Sequence, residues 1–214
     1  MMSNINVKIL TSPPHSRDLH LFADIINDVW GPHIKQAQGY ERLTPAIMEE
    51  RLSSGQVFFV AYAQPDNDQL EYLLTKYPQY NFVGDVPCGI METVQLKTGG
   101  DLNRLRLNYD QLTNSGHWPR IEDETDSILF VDITASDSLR VKGTGKSILE
   151  AGKQYVRENP HLKLALTYTP DDDGSRWLHL NRMGAELSDI VIPQARPWYK
   201  INDVRLTIYP NHLP

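Results

Sequence analysis

Residues 128–135 read ILFVDITA, and residues 140–147 read RVKGTGKS. The first segment is an almost continuous apolar run, which is typical of a buried strand. The second contains Gly143 and Gly145 and is followed by apolar residues at helical spacing up to about Glu158. A strand that leads through glycines into a helix lets backbone N–H groups converge on an anion at the positive end of the helix dipole. The sequence therefore predicts a phosphate-binding turn, and the alternative is a structural turn with solvated lysines.

Two common phosphate-binding motifs do not fit this turn. The P-loop requires G-x-x-x-x-G-K-[ST], and Arg140 stands where its first glycine should be, although residues 145–147 match its end. The dinucleotide-binding pattern G-x-G-x-x-G fails because Ile148 occupies the position of its third glycine. The sequence therefore predicts neither a P-loop nor a Rossmann fold.

The turn resembles the [Q/R]-x-x-G-x-[G/A] motif of the GNAT superfamily of acyl-CoA N-acyltransferases, with Arg140, Gly143 and Gly145 at its three defined positions. Residues 178–186, LHLNRMGAE, are similar to the F-Y-E-K-L-G-F region of that family. The resemblance is good over residues 128–186. Elsewhere it extends only to the order of the strands and helices. It implies an α+β fold with a central, mixed and mostly antiparallel twisted sheet flanked by helices.

The resemblance also implies acetyl-CoA as the cosubstrate. Backbone groups of the strand before the turn would pair with the pantetheine amides, and the amides of the turn would hold the pyrophosphate. Asp173 stands where many members have an asparagine, and it can cap a helix but cannot donate a hydrogen bond. The positions assigned to coenzyme A in this way are Ile133, Ala135, Arg140, Val141, Lys142, Gly143, Thr144, Gly145, Lys146 and Asp173.

The catalytic residues of the family do not carry over directly. Many members use a tyrosine of the last helix as the acid, and this position is Leu180 here. A glutamate that some members carry early in the strand before the turn has no clear counterpart in this chain. His179 lies beside the missing tyrosine, but a single histidine on a helix is more often packed or exposed than catalytic.

Three residues are candidate substitutes, each with a structural alternative. Asp132 lies inside an apolar strand, where an unpaired carboxylate would be costly, so it is either a base facing the cleft or a partner in a structural hydrogen bond. Glu92 lies in the segment GIMETV and is a second candidate base. Tyr168, at the end of a strand, is the candidate acid for the leaving thiolate, and its alternative is a buried ring with a satisfied hydroxyl.

Other segments predict the rest of the fold. Residues 5–10 predict a strand, and a helix capped by Ser16 or Asp18 is predicted to stop at Gly31-Pro32. A second helix is predicted from Thr44-Pro45 to Gly55. Polar residues from 64 to 81 predict loops or a helical turn. The chain is predicted to be a single domain, residues 1–214, with an insertion at residues 96–126.

Composition excludes several classes of protein. The 214 residues include 21 Lys+Arg against 27 Asp+Glu, a formal charge of -6, which argues against a general nucleic-acid surface. A single cysteine, Cys88, rules out an intrachain disulfide, and the seven histidines show no metal-ligand spacing, so no metal is predicted. With no signal peptide and no apolar run of about 18 residues, the sequence predicts a cytoplasmic protein without a membrane partner.

The resemblance implies direct transfer of an acetyl group from acetyl-CoA to a primary amine, of a small molecule or a peptide, in a ternary complex. Two other functions stay open. A domain of this fold can bind acyl-CoA without turnover and act as a sensor or interaction module, or the same pocket can serve a different acyl or decarboxylation reaction. The acceptor and the formation of a homodimer are open as well.

Overall fold

The computed structural model of the chain describes residues 5–34, 43–96, 127–135, 141–162, 164–170, 174–191 and 204–209. The chain divides into two units. Unit 1 comprises Met1–Glu92 and Asp132–Ala151, and unit 2 comprises Thr93–Val131 and Gly152–Pro214. Within the described ranges, no helix is both long enough and apolar enough to span a bilayer.

Strands and helices are interspersed along the chain. The strands are β1 (Asn6–Leu10), β2 (Phe58–Ala63), β3 (Val86–Leu96), β4 (Ser127–Ala135), β5 (Leu164–Pro170), β6 (Glu186–Val191) and β7 (Val204–Tyr209). The helices are α1 (Ser16–Ile34), α2 (Pro45–Ser53), α3 (Asn67–Lys76), α4 (Thr144–Glu158) and α5 (Gly174–Trp177), with a π-helical segment at Leu178–Arg182. Four of the described strand pairs are antiparallel and one is parallel. This mixed, mostly antiparallel arrangement confirms the predicted α+β class.

Strands β1, β2 and β3 form an antiparallel meander in unit 1. The pairing of β2 with β3 shifts between two positions, because Ala61 faces Gly89 whereas Tyr62 faces Pro87. Cys88 is therefore the extra residue of a β-bulge. A bulge bends its strand and re-aims the side chains next to it.

Helices α1 and α2 supply the core of unit 1. Thr44 caps α2 by accepting a hydrogen bond from Ile47 N at 3.3 Å, and Pro45 occupies the first helical position, as predicted. Apolar residues at helical spacing on both helices pack against one face of the meander. The buried members of this cluster are Leu19, Phe22, Ala23, Ile26, Leu43, Met48, Leu52, Phe58, Val60 and Ile90.

One prediction in this half of the chain was wrong, and another understated the length of a helix. The predicted stop at Gly31-Pro32 is wrong, because helix α1 ends at Ile34 and the proline lies in its last turn, where few helical residues follow it. The polar segment at 64–81 contains the helix α3. Its capping box explains why, because Asp66 and Gln69 satisfy each other's backbone N–H groups at 2.8 and 2.9 Å.

In unit 2 the strand order is β4-β5-β7-β6. Strand β5 runs parallel to β4 and antiparallel to β7, with Thr167 opposite Thr207. The short helix α5 passes into a π-helical turn in which Met183 N donates to Leu178 O at 3.1 Å. The single domain and its insertion stay predictions, and residues 97–126 lie outside the described residues.

Candidate functional site

The turn before α4 has a defined hydrogen-bond pattern. The carbonyl oxygen of Val141 accepts from Thr144 N at 3.3 Å and from Thr144 Oγ1 at 2.8 Å. Gly143, at φ +98, has a backbone conformation that residues with a Cβ rarely adopt. Ser147 N donates to Gly143 O at 2.9 Å, which is the first α-helical hydrogen bond of α4. The glycine therefore lets the chain turn sharply into the helix.

Two backbone amides lie ahead of that first helical bond. Gly145 and Lys146 are the second and third residues of α4, so their N–H groups belong to the set that has no partner within a helix. Such groups point out of the helix N-terminus and lie at the positive end of its dipole. The Thr144 amide, in contrast, is already bonded to Val141 O. The structure thus offers Gly145 N and Lys146 N to an anion.

Space and charge around the turn fit a diphosphate. A Cβ built on Gly143 would meet, among described atoms, only Ile5 Cδ1, at the ordinary van der Waals distance of 3.8 Å. Lys142 is exposed. The Lys146 ammonium lies 3.4 Å from Glu150, and both side chains are more than half exposed, at 53% and 56%. An exposed pair of this kind contributes about 0.2–1 kcal/mol, so Lys146 can exchange Glu150 for another anion.

The side chain of Thr144 fastens this turn to strand β3. Its Oγ1 lies 3.6 Å from the sulfur of Cys88, the bulge residue, and both residues are buried. Burial raises the pKa of the Cys88 thiol, which keeps it protonated and unreactive. Cys88 is thus a small packed group, and the Thr144 hydroxyl faces the protein interior.

Glu92 is the candidate base whose side chain the structure describes in detail. It is 3% exposed and lies opposite Phe58 in the register of β2 and β3. Its carboxylate forms an ion pair with the guanidinium of Arg51, from the last turn of α2. Sequence reasoning missed Arg51, because nothing in a helical pattern indicates which strand residue an arginine will meet. The pair supports a structural role for Glu92.

The structure places the other sequence-predicted residues on two strands. Asp132, Ile133 and Ala135 belong to β4, the strand that leads toward the turn, and Tyr168 belongs to β5, opposite Leu206 of β7. Their assigned roles stay predictions. Arg140 and Asp173 lie outside the described residues.

A second buried polar group lies in unit 2, in the π-helical segment. His179 is 2% exposed, and its Nδ1 forms a hydrogen bond with the hydroxyl of Tyr209. Burial raises the pKa of Tyr209. Lys153 Nζ donates to Met183 O at 2.8 Å and lies 5.9 Å from the centre of the Tyr209 ring. The sequence singled out His179 but not its partner, which is far away along the chain.

Metal-ligating side chains do not cluster in the described part of the chain. Among the residues that the structure describes, no group of three or more histidine, cysteine, aspartate or glutamate side chains could hold a metal ion.

No protein-family model matches the chain, and no curated protein matches its sequence. Solved structures do match over nearly the full chain. NAA60 of Arabidopsis thaliana in complex with acetyl-CoA aligns with a TM-score of 0.56 at 12% identity, covering 96% of this chain and 98% of that one. The putative acetyltransferase yncA of Salmonella typhimurium with its cofactor acetyl-CoA aligns with a TM-score of 0.58 at 9% identity, covering 99% of this chain and 98% of that one. Ribosomal-protein-alanine N-acetyltransferase of Brucella melitensis aligns with a TM-score of 0.58 at 10% identity, covering 96% of this chain and 99% of that one.

Proposed function

We propose that this chain, which has the fold of the GNAT N-acetyltransferases, is an acetyltransferase that moves an acetyl group from acetyl-CoA to a primary amine by direct transfer in a ternary complex. One observation carries the proposal. In this fold, the glycine turn at residues 141–147 presents the amides of Gly145 and Lys146 at the start of α4, beside two lysines. That combination suits the diphosphate of a nucleotide thioester.

Acetyl-CoA, when bound, supplies the activated acetyl thioester. In the proposed complex, Gly145 N and Lys146 N donate to the diphosphate, and the ammonium groups of Lys142 and Lys146 offset its charge. Backbone groups of Ile133 and Ala135, on β4, pair with the pantetheine amides. Backbone pairing of this kind fixes the position of an extended ligand without requiring particular side chains.

The chain must also move two protons. The attacking amine has to lose a proton, and the leaving sulfur has to gain one. We assign the first to a carboxylate oxygen of Asp132, because the Glu92 carboxylate already pairs with Arg51. We assign the second to the hydroxyl of Tyr168, on β5.

A catalytically inactive acyl-CoA-binding module is the second candidate function, and one observation favours it. Many members of this fold use a tyrosine of the last helix as the general acid. Leu180 stands at that position here, and it lies in a π-helical rather than an α-helical turn. The neighbouring His179 forms a hydrogen bond with Tyr209. A helix altered in this way fits a protein that keeps the coenzyme site and has lost turnover.

Two measurements on the full chain test these functions. The first is a melting scan with and without acetyl-CoA, because ligand at 100 times its dissociation constant stabilises a protein by about 2.7 kcal/mol, which is several degrees of midpoint. The second is release of free thiol from acetyl-CoA over a panel of primary amines. Stabilisation with thiol release supports the enzyme, and stabilisation without release for any amine supports the binding module. No stabilisation and no release would refute both.

A further inference from the structure

A cavity of about 300 Å³ lies within unit 1, at the end of the meander where β2 ends and β3 begins. Helix α1 and the segment between α3 and β3 both contribute to its walls. The lining combines the aromatic rings of Tyr62, Tyr80 and Phe82 with the carboxylates of Asp18 and Asp85. The volume is at the lower end of the range for small-molecule sites, so the cavity suits a small ligand.

The aromatic rings of this cavity are placed to attract a cation. The centres of the Tyr80 and Phe82 rings lie 6.1 Å apart, with their planes inclined by 52°. A cation is attracted to a ring whose centre lies within about 6 Å, so one cation can reach both rings. The Lys8 ammonium, which does not line the cavity, lies over the Tyr62 ring at 4.5 Å from its centre. The Tyr62 ring therefore already stabilises a cation.

Two carboxylates of the cavity remain open to a ligand. In the part of the chain that the structure describes, no hydrogen bond or ion pair engages the side chain of Asp18 or Asp85. Asp18 is half-buried. The lining also contains the guanidinium of Arg17, which donates to the backbone carbonyl of Asn81 at 2.8 Å and forms no ion pair with either aspartate. A half-buried carboxylate without a partner is costly, and a cation in the cavity would offset that cost.

Polar contacts hold the segment after α3 against α1. The Tyr80 hydroxyl donates to Asp24 at 3.0 Å, and this bond adds to the one between Arg17 and Asn81. Farther along α1, the Tyr77 hydroxyl donates to Asp28. The cavity is therefore preformed, and a ligand would not have to order it.

The rest of the lining indicates which kind of cation fits. Leu21 and Val86 are buried and present apolar surface to the cavity. A metal ion or a primary ammonium is strongly hydrated and needs several oxygen ligands or hydrogen-bond acceptors. A trimethylammonium group needs none, because its charge is spread over methyl groups that contact rings and aliphatic side chains. Carboxylates beside rings and an apolar surface match the trimethylammonium group.

We propose that this cavity binds a small organic cation with a quaternary trimethylammonium group. In the complex, the carboxylate of Asp18 offsets the charge, the rings of Tyr80 and Phe82 contact the methyl groups, and Leu21 covers the apolar side of the ligand. A quaternary nitrogen has no lone pair and cannot accept an acetyl group. The site is therefore separate from the amine acetylation of the proposed function and goes beyond it.

Calorimetric titration of the full chain with choline, without acetyl-CoA, tests the proposal. Two probes of similar size serve as comparisons. In 3,3-dimethyl-1-butanol a carbon replaces the charged nitrogen, and ethanolamine keeps the charge but lacks the methyl groups. We expect choline to bind and each probe to bind at least about fivefold more weakly, because the cation–π attraction or the methyl contacts are lost. No binding of choline at millimolar concentration, or equal or tighter binding of either probe, would overturn the proposal.

Variants locate the ligand. Asp18→Asn removes the facing charge and Phe82→Leu removes a ring, and each should weaken choline binding by about threefold to fivefold. The matched controls are Asp68→Asn, an acidic residue in the first turn of α3, and Tyr72→Leu, an exposed ring of that helix. Both controls should leave binding unchanged. Wild-type affinity in both cavity variants, or equal weakening in the controls, would contradict the site.

Melting of every variant without ligand shows that the fold is retained. Because acetyl-CoA is absent from the titration, failure of choline binding leaves the acetyl-CoA melting shift unaffected, and failure of that shift does not affect this titration.

Discussion

Cys88 Sγ and Thr144 Oγ1 lie 3.6 Å apart, and this contact joins a strand bulge to the first residue of α4. The Thr144 hydroxyl donates its proton to Val141 O, so its oxygen is left to accept from the Cys88 thiol. The bulge in β3 thereby holds the beginning of the helix. The two amides proposed to bind the diphosphate, those of Gly145 and Lys146, directly follow Thr144 in this helix.

A methyl group at Gly143 should remove the response to acetyl-CoA. Gly143→Ala places a Cβ in the turn and strains its backbone, which lies at φ +98. Gly55→Ala is the matched control, because Gly55 lies at φ +92 in the same unit with nothing within 4 Å of its added Cβ. Both variants should lose about 1–2 kcal/mol of stability. Only Gly143→Ala should lose the melting shift with acetyl-CoA, and an unchanged shift in that variant would contradict the placement of the diphosphate.

Lys146 and Glu150 should affect acetyl-CoA binding in opposite directions. Lys146→Gln removes a charge beside the proposed diphosphate and should weaken binding about threefold to fivefold, whereas Glu150→Gln releases Lys146 and should strengthen it. Both effects should shrink as salt screens the charges. Titration calorimetry at two ionic strengths measures them, and melting without ligand should show little change in either variant. Shifts of the same sign would refute a role for the Lys146 charge.

The two members of the Arg51–Glu92 pair should not be equally costly to remove. Arg51→Met leaves a carboxylate that is 3% exposed without its guanidinium and should cost about 3–5 kcal/mol of unfolding free energy. Glu92→Gln leaves a guanidinium that is 38% exposed and can be hydrated, so its cost should be smaller. Urea denaturation measures both. If Glu92→Gln instead keeps full stability and abolishes thiol release, Glu92 is the base after all.

The Cys88 thiol should make stability depend on pH in the alkaline range. Its folded pKa lies above the ordinary value of 9.0, so the unfolded chain loses this proton first. The stability that the buried thiol contributes is fully present below pH 9.0. It is lost as the pH rises from there through the folded pKa. Wild type should therefore lose more stability than Cys88→Ser over this pH range in parallel urea titrations. Identical pH profiles would show that the thiol is not buried as described.

Individual helices and strands could be predicted from the sequence where residues close together along the chain determine the local structure. The cap and the proline at Thr44-Pro45 predict the start of α2, and the strand β1 lies within the predicted residues 5–10. The apolar run before Gly143 predicts β4. The helix α3 was missed because its capping box lies in a segment with too few apolar residues to show a helical period.

Contacts between distant residues could not be read in this way. The pairing of Arg51 with Glu92 and of His179 with Tyr209 joins residues with no common motif. The hydrogen bond from the Tyr80 hydroxyl to Asp24 also joins residues that lie far apart along the chain. The pairing of side chains from different strands and helices depends on how these elements pack. That packing produces no periodic pattern in the sequence from which the pairs could be predicted.

The sequence by itself determined the order of the strands and helices apart from α3, the glycine turn and the likeness to acetyl-CoA-dependent transferases, because hydrophobic period, caps and glycine conformation act over a few residues. Only the tertiary structure decided which groups at the turn stay available to an anion. It did so by bonding the Thr144 amide and hydroxyl to Val141 O and by placing that hydroxyl beside Cys88. The tertiary structure also decided that the Glu92 carboxylate pairs with Arg51. The physical reason is that burial and pairing of polar groups are properties of the packed chain.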